Sequence, residues 1–192
     1  DGLRAERIVR HRGRLEQEVT RLAAAGVGSL ETRIHGDFHL GQVLISQSDV
    51  FIVDFEGEPS RSLVDRRGKA SRFRDVAGLL RSFDYVAKVA ARTELRGEST
   101  DARKQAFIEK FREVAHDTFL QAYHGVQPEA DDRQPQRRDS RDAALIDLFT
   151  LEKAAYELCY EAANRPDWID IPLRALAALT SRLVGSPVRE PA

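Results

Sequence analysis

The side chains whose types and spacing could do chemistry lie between Arg33 and Glu58. A polar cluster, His35-Gly36-Asp37-Phe38-His39-Leu40-Gly41-Gln42, comes first. Two short apolar runs follow, Val43-Leu44-Ile45 and Val50-Phe51-Ile52-Val53, and the second ends on Asp54 and Glu56 set around Phe55. Asp37, Gln42 and Asp54 therefore fall at the mouths of two predicted strands. Such a set suits phosphoryl transfer. One carboxylate orients an acceptor hydroxyl and takes its proton, while a carboxamide oxygen and a second carboxylate are hard donors for Mg²⁺. Positioning and electrostatics then supply nearly all of the acceleration. Zinc is the poorer reading, because His35 and His39 sit in a glycine-containing loop with no adjacent glutamate on a helix. His35 reads instead as an imidazole that braces the loop.

The elements that must position these groups follow from patterning. Val43–Ser46 and Val50–Phe55 are β-branched and aromatic, with Gln47-Ser48-Asp49 as a short hairpin connection. The loop before the hairpin and the carboxylates after it then emerge at the same end. Upstream, Leu3, Ile8, Leu15, Val19 and Leu22 predict one helix over 3–24, stopped at Gly26 and Gly28. Its arginines, Arg4, Arg7, Arg10, Arg12 and Arg14, could form a phosphate-binding stripe, but a solvated face balanced by Glu6, Glu16 and Glu18 is the better reading. Residues 57–73 read as an irregular loop whose Arg61, Arg66, Arg67 and Lys69 could meet nucleotide phosphates, a solvated loop again being preferred.

Apolar periodicity predicts helices over 74–93, opened by Asp75, and over about 100–123. Residues 126–141 read as a flexible, linker-like insertion. A third long helix spans 142–164 and stops before Pro166; Trp168 and Ile169 cover the turn. A last helix covers about 172–184, with a frayed tail from Gly185. The expected fold class is mainly α with a small β-hairpin, as a single domain over 1–192.

Composition narrows the classes further. Thirty Lys and Arg against 31 Asp and Glu give a formal charge of −1, which points to neither nucleic acid nor an anionic membrane. Cys159 is the only cysteine, so a reducing, cytoplasmic setting is the simple expectation. No apolar run approaches the ~18 residues of a membrane span. The sequence starts at Asp1 and contains no methionine, which leads us to expect a piece of a longer polypeptide.

The order HGDFHLGQ, hairpin, DFE resembles the aminoglycoside-phosphotransferase and choline-kinase branch of the kinase fold. Gln42 takes the place of the catalytic-loop Asn, and Asp54-Phe55-Glu56 that of Asp-Phe-Gly. The segments RIHGDFHLGQVL, VDFEGEPSRSLVDRR, RDVAGLLRSFDYVA and LEKAAYELCYEAANRPDWIDIPL further resemble the bacterial maltokinases, above all the maltokinase region carried by trehalose synthase fusion proteins. The likeness runs from about Arg33 to about Leu183. It implies the C-terminal lobe of a protein kinase-like α+β fold, with ATP and Mg²⁺ as cofactors and maltose as the acceptor. The implied product is maltose 1-phosphate, linking trehalose to α-glucan synthesis.

By that resemblance Asp37 is the catalytic base, Gln42 and Asp54 are the metal ligands, and Asp75 and His35 support the catalytic loop. The long third helix sets Lys153, Tyr156, Glu157, Tyr160 and Glu161 on one face, with Arg165 and Trp168 following. From the residues alone, half-buried tyrosines and a solvated charged face are the better account. With the resemblance, Lys153, Tyr160 and Glu161 become expected sugar contacts, and Tyr156, Arg165 and Trp168 join them in the substrate-binding set. An N-terminal lobe with a phosphate-covering loop and a nucleotide lysine is absent from the sequence, so the chain is expected to be inactive alone. The missing lobe, and a trehalose synthase domain upstream, are the expected partners in the same polypeptide. Two alternatives stand beside this: a kinase for another sugar such as glucosamine, and a catalytically silent interaction module. The segment EKAAYELCYEAANRPDW is the feature that speaks for maltokinase, and the intact Asp37, Gln42 and Asp54 speak against silence.

Overall fold

A computed structural model describes residues 2–92, 101–126 and 135–185. In chain order the elements are α1 (Gly2–Arg10), α2 (Arg12–Ala25), β1 (Glu31–Thr32), β2 (Val43–Ser46), β3 (Asp49–Ile52), α3 (Leu63–Arg67), β4 (Ala70–Ser71), α4 (Phe73–Arg92), α5 (Asp101–Gly125), α6 (Pro135–Asn164) and α7 (Asp170–Gly185). Short 3₁₀ turns sit at Leu40–Gln42 and Pro166–Trp168. The fold is mainly helical, with two small antiparallel sheets, β1 with β4 and β2 with β3, among the described residues.

Helix α6 is the axis of the packing, because its apolar residues face two ways. Leu145, with Ile146, Leu148 and Phe149 beside it, joins Phe73, Val76 and Leu80 of α4 and Phe119, Leu120 and Tyr123 of α5. Further along, Leu151 and Ala154 meet Leu176 and Leu179 of α7, backed by Ile8, Leu15 and Val19. Residues 73, 76, 80 and 83 recur at i, i+3, i+7 and i+10, the spacing that keeps one stripe of α4 on α6. Truncating a core leucine such as Leu145 would cost about 2–5 kcal/mol through lost transfer energy and the cavity left behind.

The expected helix over 3–24 is two helices broken at His11, whose backbone N–H is shared between Arg7 O and Ile8 O at 3.2 and 3.1 Å. The apolar pattern runs through the break because Ile8 and Leu15 enter the same cluster. The bend lets α1 lie on α7 while α2 packs on α6. The region 57–73 is also more regular than expected. Ser62 caps α3 by accepting from Asp65 N at 3.1 Å, and Ala70 and Ser71 pair with Thr32 and Glu31. Helix α6 begins at Pro135, so 135–141, expected as linker, is helical; 127–134 of that insertion lie outside the described residues. So do residues 93 and 100 of the expected helices and the tail from 186. The last helix starts earlier than expected, at Asp170.

The hairpin pairs Val43 with Ile52 and Ser46 with Asp49, so its turn is the two residues Gln47 and Ser48, both at positive φ (50° and 67°). That is the twist-matched geometry of two-residue hairpins. Strand β3 stops at Ile52 rather than Phe55, because Asp54 adopts a left-handed backbone with φ 64°. Leu44, Ile45, Val50 and Phe51 are all exposed. No helix among the described residues is long and apolar enough to cross a membrane.

Candidate functional site

The loop from His35 to Gln42 is held from three sides. Asp75, in the first turn of α4, accepts the backbone N–H groups of His35 (2.7 Å) and Gly36 (2.9 Å). Burial pushes the Asp75 carboxyl above its ordinary range, and the two N–H donors only partly offset this. His35 is buried, and its ring joins both halves of the site. Nδ1 accepts from Asp37 N at 3.3 Å, which leaves the proton on Nε2 to donate to Val53 O at 2.8 Å. Phe38 and Phe55 flank the ring, with centroids 5.5 and 4.8 Å away.

Close approach of backbone to backbone completes the support. A Cβ on Gly78 would lie 2.5 Å from Phe38 O, so the loop rests directly on α4. One turn on, Ser82 Oγ accepts from Leu40 N at 3.2 Å. Gly36 has φ 85°, and a Cβ there would meet Gly57 Cα at 3.3 Å. That contact brings the segment after Asp54 against the loop.

Asp37 faces a cavity of about 630 Å³ lined also by Glu58, Lys153, Tyr156, Arg74 and Phe149. Lys153 Nζ lies 3.1 Å from Glu58 Oε2 and 3.5 Å from Asp37 Oδ1. Tyr156 donates its hydroxyl to Glu58 Oε1 at 3.1 Å. Burial would raise the Glu58 carboxyl, but the Lys153 ammonium and the Tyr156 hydroxyl outweigh it and hold the group below its ordinary range. Burial would likewise lower Lys153; the charges of Glu58 and Asp37 win, and the ammonium is strengthened. The result is an ordered ammonium bridging two carboxylates at the wall of an open cavity.

Gln42 and Asp54 meet at the mouth of the hairpin, where Gln42 Nε2 donates to Asp54 Oδ2 at 2.9 Å. They touch each other and do not line the cavity. Among the described residues no group of three or more His, Cys, Asp and Glu could hold a metal ion. A pair of oxygen donors of this kind does not make a protein cage. It fits a Mg²⁺ that keeps several waters and takes its remaining ligands from substrate phosphates.

The expected sugar-contact residues divide into two groups. Lys153 and Tyr156 reach the cavity with Asp37, whereas Tyr160, Glu161, Arg165 and Trp168 do not line it. An α-helix rises 1.5 Å per residue, so Arg165 stands roughly 18 Å along the axis from Lys153. Glu161 is 1% exposed. Its Oε1 accepts from Tyr85 (2.9 Å) and Arg165 Nη2 (2.7 Å), and its Oε2 from Arg165 Nε (2.9 Å). Arg165 lies over the rings of Tyr160 and Trp168, and Trp168 stacks on Tyr85. Tyr160 stacks on Tyr156 and so connects the two groups.

Glu58 and Arg81 are not singled out by the sequence, and Glu157 is singled out there without its partner. Glu58 sat in a segment read as irregular, although the carboxylate run Glu56-Gly57-Glu58 was a visible signal. Arg81 is 1% exposed and donates to Glu157 from Nε (2.8 Å) and Nη2 (2.6 Å), and to Asp84. Nothing in the sequence separates this buried arginine from its solvated neighbours. Glu157 was placed on the correct face but without its partner. Burial drives its carboxyl upward more than Arg81 draws it down.

No family model matches the chain. It is 32% identical over 148 residues to a glucosamine kinase of Mycolicibacterium smegmatis, covering 76% of this chain and 33% of that protein. It is 27% identical over 146 residues to a glucosamine kinase of Streptacidiphilus jiangxiensis, covering 76% and 31%. A solved glucosamine kinase in complex with glucosamine, ADP and inorganic phosphate superposes with a TM-score of 0.63 at 25% identity, over 95% of this chain and 48% of that one. A second crystal form gives 0.62 over 93% and 47%. The chain thus spans about a third of the length of the curated relatives it matches and just under half of the solved ones.

These similarities overturn the resemblance to maltokinases, and with it maltose as the acceptor and a trehalose synthase domain as the neighbour. The relatives are glucosamine kinases, and the solved complex holds glucosamine. The misreading has a physical source. The segment EKAAYELCYEAANRPDW, taken as the mark of the acceptor, places Glu157 and Glu161 in buried ion pairs, so much of its pattern records packing.

Proposed function

We propose that this chain is the catalytic and acceptor-binding part of an ATP-dependent sugar kinase whose acceptor is glucosamine or a similar amino sugar. One observation carries the reading. Asp37 is braced by Asp75 and His35 at the wall of a cavity that also presents the Glu58 carboxylate, and the relatives sharing this region are glucosamine kinases. In this reading Asp37 accepts the proton of the attacking sugar hydroxyl, and Lys153 and Tyr156 contact the acceptor. Glu58 faces the sugar's ammonium group, a charge that a neutral disaccharide lacks. Gln42 and Asp54 are the side chains that would hold Mg²⁺, which neutralises phosphate charge when bound. Tyr160, Glu161, Arg165 and Trp168 set the far end of α6 and act on the sugar only through its placement.

Residues 1–192 then form the C-terminal lobe of an aminoglycoside-phosphotransferase-like fold, completed by a separate nucleotide lobe. The exposed apolar hairpin supports this, since Ile45 is 79% exposed and Leu44, Val50 and Phe51 lie beside it. Dependence on ATP suits a cytoplasmic setting. The test is a sugar panel on the complete polypeptide that carries this chain, with ADP release as the readout. Glucosamine should be the preferred acceptor, and Asp37→Asn should lower kcat by about 10²–10⁴-fold, the share a general base contributes. Release of ADP that ignores the sugar, or that survives Asp37→Asn, would remove the assignment.

A further inference from the structure

A second cavity, of about 590 Å³, opens between α1 and α7 and shares no lining residue with the site described above. Arg4, Arg7, Arg10 and His11 line it from α1 and Arg174 from α7, and among the described residues Glu6 is the one carboxylate in its wall. Four arginines thus line one groove, Arg174 with its Nη atoms turned toward Glu109 and Asp170, in a chain whose overall formal charge is −1. The spacing i, i+3, i+6 brings Arg4, Arg7 and Arg10 toward one side of α1, where like charges at three- and four-residue separation disfavour the helix unless something opposes them. The C-terminal dipole of α1 offsets part of this repulsion, since Arg7 and Arg10 lie in its last turn, and Arg4 has an interaction of its own.

The hydrogen bonding leaves capacity in the groove. Among the described residues Arg10 and His11 make no side-chain hydrogen bond or ion pair. Arg7 reaches Ser181 Oγ at 3.4 Å, a long contact, and that hydroxyl donates its own proton to Ala177 O at 2.8 Å. Arg174 is drawn toward Glu109 at 3.8 Å and Asp170 at 3.7 Å, which leaves much of its donor fork unspent. Guanidinium groups bind phosphate oxygens through paired, charge-assisted hydrogen bonds. The volume lies in the range of small-molecule sites, about 300–1,000 Å³.

We propose that the α1–α7 groove binds a small anion carrying two or more phosphate groups. Its concave form between two packed helices favours such a ligand over a flat lipid surface, even though Leu3 and Val9 are exposed on α1. The sequence reading of these arginines as a solvated face agrees with the exposure of Arg4, Arg7 and Arg10, to which the proposal adds a ligand. Arg12 pairs with Glu16 at 2.8 Å.

Titration of the 192-residue chain with inorganic pyrophosphate, followed by calorimetry at low salt, tests the proposal. We expect saturable 1:1 binding with Kd on the order of 0.1–1 mM, and orthophosphate weaker by about tenfold. Arg7→Glu with Arg10→Glu, both exposed and so able to fold, should abolish binding, while Lys153→Gln in the other cavity should leave it intact. Circular dichroism checks that each variant is folded. Four outcomes would overturn the proposal: no saturation, unchanged binding in the charge-reversed variant, orthophosphate as tight as pyrophosphate, or capture of the chain by phosphatidylserine vesicles with no response to pyrophosphate.

Discussion

Replacing Asp75 by alanine isolates the brace on which the candidate site depends. The carboxylate serves two backbone donors, His35 N at 2.7 Å and Gly36 N at 2.9 Å. Leaving a buried donor unpaired costs about 1–3 kcal/mol, so the two together could reach about 6 kcal/mol. Two effects lower that figure. Asp75 is only partly buried, so water can reach one of the freed N–H groups, and the carboxyl itself is destabilised by its own desolvation. A net loss of about 2–4 kcal/mol follows. At about 2–4 °C per kcal/mol for a chain of this size, Tm should fall by roughly 4–16 °C. Asp75→Asn keeps one acceptor oxygen and should fall between the two. Amide hydrogen exchange locates the loss: protection of the His35 and Gly36 amides should drop far more than that of core amides in α6. If Tm moves while those two amides keep their protection, Asp75 acts only through the α4 dipole, at about 0.3–1 kcal/mol, and the brace is refuted.

Two further predictions concern the helix that carries Lys153. Arg81→Met should cost about 3–5 kcal/mol because it strands the buried Glu157 carboxylate, whereas Arg81→Met with Glu157→Leu should recover more than half of that loss. Strictly additive denaturant midpoints in the double-mutant cycle would show that the pair is not coupled. The Lys153–Glu58 tie makes stability depend on pH at both ends. The depressed Glu58 carboxyl contributes stability that is present above its ordinary value of 4.5 and lost as pH falls through its lower folded value. The raised Lys153 contributes stability that is present below 10.5 and lost as pH rises through its higher folded value. Thermal melts of the parent and of Glu58→Gln should therefore differ most between about pH 5 and 10 and converge as pH falls from 4.5 through the lower folded value; a pH-independent gap would mean that the tie contributes nothing.

The parts of the molecule fixed by short-range chemistry were legible in the sequence. The loop His35–Gln42, the hairpin that follows and the acidic first turn at Asp75 rest on residue types at fixed spacings, and the structure ties His35 to Asp37 and Asp75 directly and to Asp54 through Val53 and Gln42. What was not legible rests on partners distant in the chain. Glu161 carries the same pattern signal as Lys153, yet Tyr85 on α4 and Arg165 claim its oxygens. The break at His11 has no proline to announce it; it accompanies α1 lying on α7 while α2 packs chiefly on α6. Short α3 was signalled by Ser62 and Asp65, three residues apart, a capping pair outweighed by the Gly, Pro and Ser around it.

Helix α4 couples the two halves of the candidate site. Asp75, Gly78 and Ser82 lie at i, i+3 and i+7 and touch the loop that carries Asp37. Arg81 and Tyr85, one turn apart on the adjoining face, grip Glu157 and Glu161 of α6. Lys153 precedes Glu157 by one helical turn, so fixing Glu157 against Arg81 also fixes where the Lys153 ammonium stands relative to Asp37. A buried Arg–Glu pair is a weak source of stability, since desolvation cancels much of its Coulomb attraction. Its use here is register. An apolar contact of equal strength would let α6 slide or rotate by fractions of a turn, and a shift of about 1 Å is enough to spoil a catalytic geometry. On this reasoning the Arg81→Met, Glu157→Leu double variant regains stability without regaining the Lys153–Asp37 separation of 3.5 Å. A folded variant of that kind with the separation unchanged would show that α6 is positioned by apolar packing alone.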